Sequence, residues 1–218
     1  MARISGVDIP REKRLEIGLD WSSVVRRKPE FVITSVEMTD WTMLVEKWPG
    51  RNNFPKFVDN GQPDRGPRPF TTTLKYLRAY RGQFAYDDHQ APWSIVAPGI
   101  DLNIANLPQY HGTAQFRGGT IKIQNHLPMW ADFKAAFTLD GGKVHLSKID
   151  IRTDGAETTA AGDVDFGHWP VMRFDVKSRV HFPRMREIFF TNEKWTLAGD
   201  GDFAGVFRLY DGGHNLSG

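Results

Sequence analysis

Apolar and polar residues alternate through the middle of the chain, in strand-length runs separated by glycine-containing breaks. Phe133, Phe137 and Leu139 share one parity, and they are followed by an Asp-Gly-Gly break at 140–142. Val144 begins the next run. Alternation with period two places one set of side chains on a single face of a sheet, and a glycine supplies the positive φ of a tight hairpin turn. The pattern therefore predicts a β-meander.

The same pattern recurs on both sides of this region, whereas helical character is confined to Pro183–Phe190, which opens with proline. Gly118-Gly119 is interpreted as the turn of a further short hairpin. The predicted fold class is all-β: an elongated, curved, mainly antiparallel meander, groove-like or taco-like, with at most one short helix. The other strands are predicted over residues 15–21, 30–37, 41–46, 71–80, 95–104, 112–116, 120–124, 156–166, 174–182 and 195–209.

Two breaks in the alternation predict β-bulges. The apolar parity slips by one residue after Ala97 and again after Leu146. A one-residue slip reverses which face is apolar, unless a bulge absorbs the extra residue. We therefore expect bulges or strand bends near Pro98-Gly99 and Ser147-Lys148, where they would curve the sheet.

The sequence predicts one repetitive β-groove segment over residues 1–218, and not several domains. Its first strands occupy 1–48 and its main sheet 71–218. Between them, residues 49–70 hold five prolines and three glycines. Proline donates no ladder hydrogen bond, so this stretch is predicted to be a long surface loop.

Charge and composition narrow the function classes. The 28 basic and 26 acidic residues are mixed along the chain and leave a net charge of +2, so no field argues for a nucleic-acid partner. Cysteine is absent, which removes disulfides and thiol chemistry. There is neither an 18-residue apolar run nor a signal peptide. We expect either a cytosolic protein or an internal piece of a larger one.

Candidate catalytic groups are sparse. The seven histidines never fall at the close spacings of a shared metal site. Asp87-Asp88-His89 is best explained as a turn, because aspartate bonds its own backbone there. Asp163 with Asp165, or Asp200 with Asp202, could form paired carboxylates for glycosidic chemistry, although solvent-facing strand positions are polar in any case. We expect no enzyme activity, no metal and no cofactor.

Seven tryptophans are spread evenly along the chain. Trp93, Trp130 and Trp169 each have a proline within two residues, which places them at strand edges or turns. An amphipathic ring at such a position can cover the end of an apolar surface. An aromatic platform for sugar or nucleic acid is the alternative.

Residues 1–19, MARISGVDIPREKRLEIGL, resemble the tail of the thirteenth protein of the bacterial small ribosomal subunit. The likeness covers under a tenth of the chain. That family continues with helical, glycine-rich basic sequence, whereas Asp20-Trp21-Ser22-Ser23 and β-sequence follow here. We interpret this likeness as accidental.

A second resemblance extends over most of the chain, and it rests on the order of its motifs. A strand ends in Asp40-Trp41, a G-x-F-x-Y-D-D hairpin follows, and L-x-G-G and T-D-G…G-D-V strands come later. In this order the chain resembles AsmA-like proteins, including the TamB branch, of the repeating β-groove superfamily. The stretches that carry the likeness are FVITSVEMTDWTMLVE (31–46), NNFPKF (52–57), GQFAYDDHQAPWSIVAPGIDLNI (82–104), LDGGKVHLSKIDIRTDGAETTAAGDVDF (139–166) and WTLAGDGDFAGVFRLYDGGHNLSG (195–218).

The resemblance implies a periplasmic protein of the bacterial envelope, held in the inner membrane by a helix in the rest of a full-length chain. It implies phospholipid acyl chains as the partner, in an apolar groove that leads toward the outer membrane. For each candidate lining residue, packing in a closed core is an equally good interpretation. These candidates are Leu15, Ile17, Leu19, Ile100, Leu102, Ile104, Phe133, Phe137, Leu139, Val144, Leu146, Phe174, Val176, Val180, Phe182, Phe203 and Phe207.

Two alternatives from other classes stay open. The sheet edge could template strands of outer-membrane proteins, which makes outer-membrane assembly proteins a second class of partner. A carbohydrate-binding or carbohydrate-active β-sandwich could instead use the paired aspartates.

Overall fold

The computed structural model describes residues 2–4, 7–9, 14–20, 31–53, 70–106, 109–168, 171–210 and 213–218. This part of the chain forms one open, curved and mostly antiparallel sheet with a single short helix, which confirms the predicted fold class. The strands are β1 (Ala2–Ile4), β2 (Val7–Ile9), β3 (Arg14–Asp20), β4 (Phe31–Thr39), β5 (Thr42–Trp48), β6 (Arg51–Asn52), β7 (Phe70–Asp88), β8 (Trp93–Asn106), β9 (Tyr110–Ile123), β10 (Met129–Asp140), β11 (Lys143–Thr153), β12 (Ala156–Asp165), β13 (Val171–His181), β14 (Asp200–Tyr210) and β15 (Gly213–Ser217), and the helix is α1 (Phe182–Phe189).

From β7 onward the sheet is an uninterrupted meander, in which each strand pairs antiparallel with the next up to β15. On its other edge, the 19-residue β7 pairs in parallel with both β4 and β5, one after the other. β3 extends the sheet beyond β4, while β2 and β6 pair with β5 and β1 pairs with β2. The predicted loop falls mainly on residues 54–69, which lie outside the described residues.

The junction of β4 and β5 matches a kink in β7. Asp40 and Arg81 both have positive φ, at 57° and 50°. The Arg81 guanidinium donates to the Asp40 carboxylate through Nε and Nη2, at 2.8 and 2.7 Å. The Trp41 indole is buried against Gly82, where any Cβ would overlap the ring. Gly82 therefore lets an aromatic ring lie flat on the sheet at its sharpest bend.

Both predicted bulges are confirmed by the strand register. Gly82 faces Ile100 and Phe84 faces Ala97, so β8 carries an extra residue at Pro98-Gly99. In β11 the register with both neighbouring strands shifts across Ser147-Lys148. Each bulge restores the apolar parity to one face, as the sequence required.

Three details of the predicted strand pattern are wrong. Gly118-Gly119 is no hairpin turn but lies inside β9, where Gly118 has φ 67° and donates its amide to Asp132 Oδ1 at 2.8 Å. Residues 195–199 precede β14 and do not belong to it. Phe182 begins α1, so the strand before it ends at His181. A bulge and a turn both favour glycine, and only pairing with the neighbouring strands separates them.

Helix α1 confirms the predicted short helix with a proline in its first turn, and it packs across one end of the strands. Ile188 is fully buried, and the Leu127 amide donates to the Ile188 carbonyl at 3.3 Å. Arg184 donates to Asp154 Oδ2 in the β11–β12 turn through Nε and Nη2, at 3.1 and 2.6 Å. The helix thus covers the turn region of the sheet and reaches the adjoining ends of β13 and β14, where the Phe182 ring lies over Gly201.

The hydrophobic core is thin. Two small clusters of buried residues lie around Trp41 and around Phe116, and four of the buried apolar residues of the described chain are alanines. The accessible surface is 15005 Å². A compact monomer of this mass would expose about 10,000 Å². The described part of the chain is thus a single-layer sheet without the two-layer core of a compact domain.

Gly82→Ala tests the kink. The added Cβ must displace the Trp41 ring, so we expect the variant to lose about 1–3 kcal/mol of unfolding free energy. The measurement is urea unfolding followed by circular dichroism. Gly167→Ala is the matched control, because Gly167 lies in an exposed turn, and its cost should stay within about 0.5 kcal/mol. Equal losses in the two variants would contradict the role assigned to Trp41.

Candidate functional site: the apolar face of the sheet

Cross-strand pairing aligns the apolar residues into continuous rows that run across the strands. In an antiparallel or parallel ladder, directly paired residues share a face. The first row crosses eleven strands, and every member is apolar or glycine. At about 4.8 Å per strand, such a row is about 48 Å long. Its members are Ile17, Val36, Leu77, Ile104, Gly112, Phe137, Leu146, Gly162, Phe174, Phe207 and Leu216.

A second row runs beside the first across ten strands and is equally apolar. It consists of Leu15, Met38, Ala79, Leu102, Ala114, Ala135, Ile149, Ala160, Val176 and Gly205. Nine of the seventeen candidate lining residues belong to these two rows. The described structure thus brings together on one face residues that lie up to two hundred positions apart in the sequence.

The other eight candidates flank the two rows. Phe133 and Phe203 belong to a third row, and Ile100 packs against the buried clusters around Trp41 and Phe116. Leu139 pairs with Val144 at one end of the strands. Val180 lies at the other end, and the ring of Phe182, though it belongs to α1, lies over Gly201, the partner of Val180. Leu19 pairs with Ile33 after a register shift in β3.

Sequence reasoning missed the small residues of the rows. Glycine and alanine carry little weight in an alternation pattern, yet Gly112 and Gly162 lie under the rings of Phe137 and Phe174. A Cβ at either glycine would collide with the neighbouring strand or ring. The aromatic rings therefore lie along the sheet and do not stand up from it, which leaves the apolar face low and open.

This face is partly covered at best. On β13, Met172, Phe174, Val176, Ser178 and Val180 are half-buried, whereas the residues of the opposite parity are exposed. The main contacts between elements of the described chain are those of sheet neighbours, together with that of α1 and β13. No described element packs over the middle of the rows. Within the described residues, the apolar face therefore has no covering layer, although Ala79, Ala135 and Ile149 of the second row are buried by their neighbours in the sheet.

One polar pair interrupts the apolar face. In the third row, Thr158 on β12 pairs with Ser178 on β13, and their hydroxyl oxygens are 2.8 Å apart. Each hydroxyl satisfies the other, which lowers the cost of placing them among apolar neighbours. The pair lies between Ile151 and Phe203 in the same row.

The opposite face is charged. A furrow of about 870 Å³ crosses it from β9 to β14. It is lined by the two rows of polar parity and by the third row that runs between them, which contributes Phe116, Phe133, Ile151, Thr158, Ser178 and Phe203. One wall alternates in charge from strand to strand, through Asp132, Arg152, Glu157, Arg179 and Asp202. Arg152 and Glu157 form an exposed ion pair, with Nε and Oε1 3.9 Å apart. Exposed charges of this kind add little stability and keep this face in water.

Three of the four aspartates proposed for glycosidic chemistry are bonded to histidines. Asp163 Oδ1 lies 2.8 Å from His145 Nδ1, and Asp200 Oδ1 lies 2.8 Å from His181 Nδ1. The bond to His181 lowers the pKa of Asp200, and Arg179 adds to this effect. The hydrogen bond between the Asp165 carboxylate and His168 likewise lowers the pKa of Asp165. A carboxylate with a lowered pKa is poorly suited to act as a general acid.

Asp88 organises the β7–β8 turn, and the interpretation of Asp87-Asp88-His89 as a turn is confirmed. Its Oδ1 accepts the amides of Gln90 and Ala91 at 2.9 and 3.0 Å, and its Oδ2 accepts from Lys47 Nζ at 3.1 Å. Burial opposes ionisation of Asp88, but these donors outweigh it and hold its pKa below the usual value. Burial, followed by the Asp88 charge, raises the pKa of Tyr86.

Known proteins give no guide to this site. Comparisons with protein-family models, with curated proteins and with solved structures found no match.

Within the described ranges, no group of three histidine, aspartate or glutamate side chains is placed to hold a metal ion. The one helix found there is too short to cross a membrane.

Asp88→Asn tests the turn. Asparagine can still accept the two amides, but it loses the charge that faces Lys47, so we expect a loss of about 1–2 kcal/mol at neutral pH. Because the folded pKa lies below the unfolded value of about 3.9, this stabilisation is complete above about pH 4 and disappears as the pH falls through the folded pKa. Urea unfolding across this range should show the gap between wild type and variant closing in acid. A gap that is constant with pH would contradict the assignment.

Proposed function

We propose that this chain is a non-enzymatic lipid-binding segment that holds phospholipid acyl chains on the apolar face of its sheet. The observation that carries the proposal is the pair of apolar rows, which cross at least ten strands without a charged residue and without a described covering layer. The resemblance to AsmA-like proteins supports a place in the periplasm, as part of a bridge between the inner and outer membranes whose anchor belongs to the rest of the chain.

Energetics favour acyl chains as the occupant. The two rows extend about 48 Å across the sheet, and monomers rarely expose contiguous apolar patches of more than a few hundred Å². Each acyl methylene removed from water contributes about 0.8 kcal/mol. Because one position along a row resembles the next, a chain could move along it without losing a specific contact. A conduit requires this combination of adequate affinity and weak positional preference.

An assembly scaffold is the second candidate. Strand β15 pairs with β14 along one edge, and no strand of the described residues pairs along its other edge. Leu216 on β15 continues the first row and is 58% exposed. This edge could accept a strand of an outer-membrane protein by β-augmentation. Binding of a strand-forming peptide by a lipid-free protein would favour this function over lipid transport.

Val176→Arg tests the lipid proposal. Val176 lies between Ala160 and Gly205 in the second row, so an arginine has room there and places a charge in the middle of the apolar face. The protein is exported to a bacterial periplasm and purified mildly, and its extracted lipids are measured by mass spectrometry. We expect stoichiometric phospholipid in the wild type and a loss of at least about tenfold in the variant.

Thr159→Arg is the matched control, since Thr159 is the exposed neighbour of Ala160 on the same strand but faces the charged side. It should retain its lipid. Phe137→Arg repeats the test in the first row, at the ring that covers Gly112. Circular dichroism of each variant checks that its strand content matches that of the wild type. Lipid retained by both apolar-face variants, or a folded wild type without lipid, would overturn the proposal.

A further inference from the structure

Exposed aromatic and aliphatic side chains follow one end of the strands. We call this set the tryptophan rim: Trp93, Leu127, Trp130, Phe190, Trp195 and Leu197, which are 38–46% exposed. Trp93 and Trp130 stand at the starts of β8 and β10, and Leu127 lies in the β9–β10 turn. Phe190, Trp195 and Leu197 belong to the segment between α1 and β14. From β8 to β14 there are six strand spacings, so the rim extends over about 29 Å.

Every exposed tryptophan of the described residues lies on this rim. Trp41 is buried and Trp48 stacks on His89 with ring centroids 5.0 Å apart. The rim holds tryptophans on both faces of the sheet. Ile95 and Met129 both pair with Ile121 and so lie on the apolar face. Trp93 is two residues from Ile95 and shares that face, whereas Trp130 directly follows Met129 and lies on the opposite face. Trp93 packs on the ring of Tyr86, with centroids 4.6 Å apart, but packing on the apolar face does not account for Trp130 on the opposite face.

The turns that form the rim are almost free of charge. Residues 89–92, 124–128 and 190–199 contain only Glu193 and Lys194, whose charges cancel. Asp154 in the adjoining β11–β12 turn is bound by Arg184. This contrasts with the alternating charges of the furrow on the polar face. The rim therefore combines amphipathic rings with a neutral border, the composition that proteins place at the boundary between bilayer and water.

The segment after α1 is held in position by the helix. Arg186 donates through Nε to the Trp195 carbonyl at 2.9 Å and through Nη2 to the Glu193 carbonyl. The rings of Phe190 and Trp195 lie 5.1 Å apart. Their exposure is therefore built into the fold, which lowers the entropic cost of inserting them into a partner.

We propose that the tryptophan rim docks this protein on the surface of a phospholipid bilayer, with the ends of the strands directed at the membrane and the rings inserted at the headgroup level. Neutral turns and tryptophans on both faces favour edge-on insertion driven by burial of apolar surface, in contrast to adsorption by basic residues. The inference goes beyond the proposed function and does not depend on it, because the rim and the apolar rows consist of different residues.

The test uses the whole chain and large unilamellar vesicles of phosphatidylethanolamine and phosphatidylglycerol, with binding measured by sedimentation. We expect the double variant Phe190→Ser/Trp195→Ser to lower the partition constant at least about tenfold. Val171→Ser/Tyr210→Ser is the matched control, since these exposed apolar residues lie together at the opposite end of the strands. The control should bind as the wild type does.

A second measurement does not depend on any variant. Brominated phosphatidylcholine in the vesicles should quench the tryptophan emission of the wild-type protein and shift it to shorter wavelength, and binding should survive 0.5 M salt. Absence of vesicle binding, binding that salt abolishes, equal loss in rim and control variants, or a dimer that buries the rim and ignores vesicles would each overturn the proposal.

Lipid occupancy separates this proposal from the proposed function. The rim variant should still contain phospholipid after purification, whereas Val176→Arg should lose lipid and still bind vesicles. If lipid is absent from every preparation while the wild type binds vesicles through the rim, the docking surface stands and the lipid-holding face does not.

Discussion

Everything in this molecule depends on the register of hydrogen bonds between neighbouring strands. A sheet without a second layer gains little from core packing, and only the ladder fixes which residues face each other. A slip of one position in β12 would transfer Ala160 and Val164 to the charged face and bring Thr159 and Asp163 among the apolar rows. The apolar and charged faces, and the two rows, exist only because each strand keeps its register with the next.

Bulges and glycines reconcile this register with curvature. The extra residues at Pro98-Gly99 and Ser147-Lys148 bend the strands, yet they return the apolar parity to the same face. Glycines at positions such as 112 and 162 allow phenyl rings to lie across the neighbouring strand. The result is a face that is apolar, smooth and shallow. A surface of this kind suits a long flexible ligand better than a compact one, because it presents no pocket that fits a single shape.

The charged face and the rim have different physical characters. Arg152 and Glu157 belong to a ladder of exposed charges that keeps one face in water. The rim around Trp195 is neutral, aromatic and held in place by Arg186. The apolar face, the charged face and the rim thus differ in character, and we propose that they contact hydrocarbon, water and the boundary between the two. This arrangement relates the proposed lipid-holding face to the proposed membrane contact without making either depend on the other.

The sequence by itself determined the class of fold, most strands, the helix after Pro183 and the two bulges, because alternation, proline and parity breaks act over a few residues. It also marked, by parity, nine of the residues that form the two apolar rows. Only the tertiary structure decided that Gly118-Gly119 is a bulge inside β9, that glycine and alanine complete the rows, and that Trp93, Trp130 and Trp195 share one rim. These features depend on pairing between strands distant in sequence, and a local pattern carries no information about which strand lies beside which.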